Sequence, residues 1–161
     1  MPSTWLKMSD FDFPSAMPPK PQQSMEERLR ESATSYIADI TARLGKGVDP
    51  PQELEALRKV RDDEGSDVQT LSLKIYELMI EQGMMYDVDP DTGVLTPTQF
   101  DIKNNLDIPE VKAEFNHLYS YGMELIKRGM LDLDVVKETV KKRLIERTGL
   151  SPEEFDAWLG Y

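Results

Sequence analysis

The residues best spaced for chemistry lie in two short segments of this 161-residue chain. Glu114-Phe-Asn-His117 has the Glu-x-x-His spacing that puts a carboxylate and an imidazole one helical turn apart, as in bundles that hold a pair of iron ions. Such a centre needs the pattern twice, and His117 is the single histidine, so a complete metal site would require a second protomer. Asp87, Asp89 and Asp91 in DVDPDTG alternate like the first three ligands of an EF-hand loop. The loop demands Gly at its sixth position and a bidentate Glu at its twelfth, where this sequence has Thr92 and Thr98, so the segment reads as an acidic turn. Gly45-Lys-Gly47 is too short for a phosphate-binding loop and follows a helical pattern instead of a strand. No cysteine and no Gly-x-Ser-x-Gly elbow is present, which leaves nucleophilic catalysis without a candidate. No catalytic residue, cofactor site or metal site is assigned on these grounds.

A different kind of signal stands at the start of the chain. Trp5, Leu6, Met8, Phe11, Phe13 and Met17 are crowded into a stretch broken by Pro14, Pro18, Pro19 and Pro21. Proline removes a backbone donor and clashes with a preceding helical turn, so the segment is expected to be an extended arm over residues 1–23, with its prolines as a semi-rigid spacer. Each large apolar side chain gains about 1.5–3 kcal/mol on burial, so something should cover them. Either the arm lies in a groove of its own bundle or swaps into a second copy, or the aromatic side chains anchor another protein, and the stiff spacer favours the last. Those six residues are therefore the expected partner-binding set.

Behind the arm, the elements follow from caps and apolar periodicity. Ser24-Met-Glu-Glu27 is a capping box, and Leu29, Ala33, Tyr36, Ile37, Ile40 and Leu44 make one helical stripe up to Gly45 and Gly47. Asp49 and Pro50 read as the start of a short second helix with Leu54, Leu57 and Val60 inside, ending near Gly65. Ser66 is expected to cap a third, whose wide apolar face (Val68, Leu71, Ile75, Leu78, Met79, with Leu73 and Ile80) predicts the centre of the core and whose stop is Gly83. Met85-Tyr86 and Val94-Leu95 flank Asp-Pro-Asp-Thr-Gly, a hairpin composition. Thr96-Pro-Thr-Gln99 resembles a second capping box and predicts a short helix holding Phe100 and Ile102. A fourth long helix opens at Asp107-Ile-Pro109 and runs to Gly129 on Val111, Phe115, Leu118, Gly122, Leu125 and Ile126. Asp132 caps a fifth with Val136, Val140 and Leu144 inside, and Ser151-Pro-Glu-Glu154 launches a last turn or two bearing Phe155, Trp158 and Leu159.

The expected fold is mainly α: a compact bundle of about five to six helices with one small β-hairpin, residues 24–161 forming a single domain behind the arm. A net charge of −11 repels phosphate backbones and anionic membranes, which argues against nucleic acid as the main partner. No stretch reaches the ~20 apolar residues of a membrane span, and Asp10 and Asp12 interrupt any export signal, so a cytoplasmic, non-inserted protein is expected. The function that fits is a non-enzymatic accessory, assembly or adaptor subunit that binds another protein or a larger complex, with a homo-oligomer also compatible. One alternative is a winged-helix-like nucleic-acid-binding regulator, since three helices precede the hairpin and the fifth helix is basic at Lys137, Lys141, Lys142, Arg143 and Arg147. A second is a metal-dependent enzyme using Glu114 and His117 across a dimer.

Overall fold

The computed structural model describes residues 23–160, so the expected arm, up to residue 22, lies outside the described residues. These fall into two compact units, one ending at Thr98 and the other beginning at Gln99. The chain is mainly helical with one two-stranded antiparallel hairpin, as its periodicity predicts.

The first unit packs three helices, α1 (Met25–Arg43), α2 (Gln52–Asp62) and α3 (Val68–Met85). Helix α1 begins where expected, with the Ser24 hydroxyl accepting from the Glu27 amide at 3.1 Å. Its stripe of Leu29, Ala33, Tyr36, Ile37 and Ile40 is buried. Helix α3 is the centre of the core, as its wide apolar face predicts, and from Leu71 to Met84 it has no exposed residue. Burial there extends past the apolar positions to Ser72, Glu77, Glu81 and Gln82.

Several boundaries differ from the sequence reading, each for a local reason. Asp67, not Ser66, caps α3: its carboxylate accepts from both the amide and the hydroxyl of Thr70 at 2.8 Å, whereas Ser66 is buried. Helix α2 starts at Gln52, with Pro51 in the capping position, because the Asp49 carbonyl is taken by the Tyr86 hydroxyl at 2.7 Å. Gly83 does not stop α3; it is buried inside the helix, which runs to Met85 and passes directly into a strand.

That strand, β1 (Tyr86–Val88), pairs antiparallel with β2 (Leu95–Pro97), Asp87 standing opposite Thr96. The turn between them closes as its composition predicts: the Asp89 amide donates to the Val94 carbonyl, and Gly93 takes φ 74°, a region open to glycine. The expected helix at Thr96–Gln99 is absent. Thr96 and Pro97 are in the strand instead, and the Thr98 amide extends the pairing to the Met85 carbonyl at 2.9 Å. Phe100 and Ile102 belong to an irregular connection, with Ile102 buried.

The hairpin is fastened to the end of α1. The Gly45 amide donates to the Leu95 carbonyl at 2.8 Å, the Arg43 Nε donates to the Gly93 carbonyl at 3.0 Å, and Leu95 is fully buried. Gly45 is needed for that approach, since a Cβ there would stand 3.1 Å from the Leu95 oxygen. The turn between α2 and α3 is held in turn by Arg30 of α1, whose guanidinium donates to the carbonyls of Arg61 and Ser66.

The second unit contains α4 (Pro109–Lys127), α5 (Leu133–Val135), a π segment (Val136–Val140), α6 (Lys141–Thr148) and α7 (Pro152–Leu159). Pro109 at the first helical position of α4 matches expectation, as do the buried Val111, Phe115, Leu118, Gly122 and Leu125. The predicted fifth helix is present as one rod, α5 through α6, capped by Asp132 and buried at Val136, Val140 and Leu144. The π turn at its middle was not legible in the periodicity. At Ser151 the full capping box forms, and α7 brings Phe155 and Trp158 to within 6.3 and 5.3 Å of Phe115, ring centre to ring centre and edge to face. The Trp158 indole donates to the Leu106 carbonyl at 3.0 Å, so the polar edge of that ring is satisfied within its own unit.

Candidate functional site

The six arm residues expected to bind a partner, Trp5, Leu6, Met8, Phe11, Phe13 and Met17, lie outside the described residues. The other candidates can be followed atom by atom.

Glu114 and His117 do sit one turn apart on α4, but they face different surroundings. The Glu114 carboxyl turns inward: its Oε2 is buried with no hydrogen-bond partner, and burial pushes its pKa above the ordinary carboxyl range. His117 is exposed, its ring 6.5 Å from that of Tyr121. A carboxylate held inside and an imidazole held outside do not converge on one ligand. Among the described residues no group of three or more His, Cys, Asp or Glu is placed to hold a metal ion.

The aspartates of DVDPDTG serve the hairpin. Asp89 accepts from the amides of Asp91 and Thr92 at 2.8 and 3.1 Å, and these bonds hold its carboxyl below the usual range. Asp87 accepts from the Thr98 hydroxyl across the strands at 3.0 Å. The same account covers Asp67 and Glu154, whose pKa values are lowered first by backbone amides at helix starts. Tyr86 is shifted the other way, burial raising its phenol with Asp49 and Glu53 adding to the effect.

The order helix, helix, helix, hairpin that prompted the winged-helix alternative is realised. A recognition helix must present one face to a groove, and α3 has no exposed residue between Leu71 and Met84. The hairpin tip is the acidic Asp89-Pro-Asp91, which a phosphate backbone repels.

The basic fifth helix gives the second unit its most distinctive surface. Lys137, Lys141, Lys142, Ile145 and Pro152 line an open groove of about 620 Å³, with Glu138 and Glu146 on its rim. Lys141 is fixed there, 2.7 Å from Asp156 of α7 and 5.9 Å from the ring centre of Tyr119. Glu138 and Lys142, spaced as an ordinary helical ion pair in the sequence, are not paired. Charge alone flagged this helix in the sequence; the groove was missed, because it depends on the π turn and on where α7 lies.

No family model matches this chain, and neither do any curated protein or any solved structure. No helix among the described residues is long and apolar enough to cross a membrane.

Proposed function

We propose that this protein is a non-enzymatic interaction module, an accessory, assembly or adaptor subunit that docks on another protein through Trp5, Leu6, Met8, Phe11, Phe13 and Met17, with its helical units as scaffold. The observation that carries this is the concentration of large apolar side chains ahead of Ser24, in a segment that prolines bar from helix. What supports it in the folded part is the use made of polar groups. Asp67, Asp89 and Glu154, the carboxyls held below their ordinary range, are all engaged in starting helices or closing a turn. A cytoplasmic setting fits a chain that makes no use of cysteine.

The test compares the full chain with a Trp5→Ala, Phe11→Ala, Phe13→Ala variant by affinity capture and mass spectrometry. The variant is expected to lose a stoichiometric partner while keeping its helical circular dichroism and melting temperature. Because Trp5 and Trp158 are the two tryptophans, Trp158→Phe leaves Trp5 as the sole indole, and its emission should shift to the blue when the partner is added. Undiminished capture by the triple variant would remove the proposal, and a large drop in melting temperature would show instead that the arm covers its own chain.

A further inference from the structure

The rod of the second unit holds a binding surface that owes nothing to the arm. Lys137 and Lys142 are five residues apart, and in a regular α-helix of 3.6 residues per turn they would point about 140° away from each other. The rod is not regular there. The Lys141 amide donates to the Val136 carbonyl five residues back, so Val136–Val140 makes one π turn. This wider turn swings Lys142 round toward Lys137, and both line the same groove. Both are exposed and neither forms an ion pair, while Lys141 between them is tied to Asp156.

The floor of the groove is of another character. Ile145 and Pro152 contribute apolar surface, and the lysine stems extend it, leaving the ammonium groups at the edge. Its volume of about 620 Å³ is within the range of pockets that take compact ligands. In a chain of net charge −11, a face with two unpaired cations is where an acidic ligand meets the least repulsion. Glu138 and Glu146 at the rim weigh against a uniformly charged phosphate backbone but not against a ligand that can space its charges.

We propose that this groove binds a peptide segment of a partner protein in which apolar side chains alternate with carboxylates, the apolar groups seated on Ile145 and Pro152 and the carboxylates reaching Lys137 and Lys142. Lys141, held by Asp156, sets the wall between them.

Fluorescence anisotropy of the full chain with a labelled twelve-residue Glu/Leu peptide tests this directly. Binding is expected, weakened about tenfold by Lys137→Glu with Lys142→Glu and weakened again between about 50 and 300 mM salt. Ile145→Asp should weaken it separately, by removing the apolar floor. The variants replace accessible side chains, and unchanged melting temperatures will show that they fold. No binding of the peptide, equal binding by the charge-reversed variant, or equal binding of a Gln/Leu peptide would overturn the proposal. So would tighter binding of a sixteen-base-pair duplex, which would mark a phosphate site. The Trp5→Ala, Phe11→Ala, Phe13→Ala variant should bind the peptide normally, so loss of the arm function and loss of this one are told apart.

Discussion

Glu114 shows how one side chain can look like a ligand and act as a liability. Its Oε2 is buried and unpartnered, and burial raises its pKa from an ordinary 4.5. The folded state thus holds this proton more tightly than the unfolded chain. The resulting stabilisation is complete below pH 4.5 and is lost as pH rises through the folded value, where the carboxylate must be charged in a dry site. Glu114→Gln is therefore expected to raise the melting temperature by about 1–4 °C at pH 7 and to give no gain near pH 4, measured by thermal circular dichroism. Gly45 has the opposite problem, too little room. Its amide meets the Leu95 carbonyl at 2.8 Å and an added Cβ would lie 3.1 Å from the oxygen. Gly45→Ala should cost about 1–2 kcal/mol in urea unfolding, as overpacking does, by pushing the hairpin off the end of α1.

Helix starts show how much an element depends on its surroundings. Ser24, Thr96 and Ser151 each stand three residues before Glu or Gln, one signal written three times. Ser151 makes both halves of the box with Glu154, Ser24 accepts from the Glu27 amide, and Thr96 makes no helix because β1 claims it as a strand partner. Helix α7 has eight residues, too few to persist without its cap and its packing on Phe115. Ser151→Ala should cost about 1 kcal/mol, and in a Trp5→Phe background the emission of Trp158 should report local loosening before global unfolding. Arg30 does similar work for the turn that links α2 to α3, its fork donating to the carbonyls of Arg61 and Ser66. Arg30→Ala should cost about 1.5–3 kcal/mol in urea unfolding, and Arg30→Lys should recover little because an ammonium lacks the planar fork.

At the scale of the whole molecule, net charge governs behaviour. With −11 charges the chain repels itself, so raising salt from about 10 to 150 mM should increase the melting temperature at pH 7. Acid should act through the caps. Asp67, Asp89 and Glu154 titrate below their ordinary values when folded, so their stabilisation is present above those values, 3.8 for the aspartates and 4.5 for Glu154, and is lost as pH falls through the folded ones. A pH-resolved melt should therefore decline on the acid side, and Asp67→Asn, which keeps a capping oxygen without the titration, should flatten that decline.

Most helices were legible because their information is local. A stripe such as Leu29, Ala33, Tyr36, Ile37 and Ile40 needs only a period of 3.6 to be recognised, and Asp132 or Ser151 begins a helix through bonds to amides a few residues away. The hairpin was legible for the same reason, its turn closing between Asp89 and Gly93. Contacts across many residues decided the rest. Asp49 could not begin α2 once Tyr86 took its carbonyl, Thr96 became strand because Asp87 lay opposite, and the Glu114 and His117 pair was divided by which side of α4 faced inward. The π turn that gathers Lys137 and Lys142 repeats the residue types of any amphipathic helix, so spacing alone cannot reveal it. Neighbours in sequence fix an element's kind, whereas the direction in which each side chain looks is fixed by what packs against it.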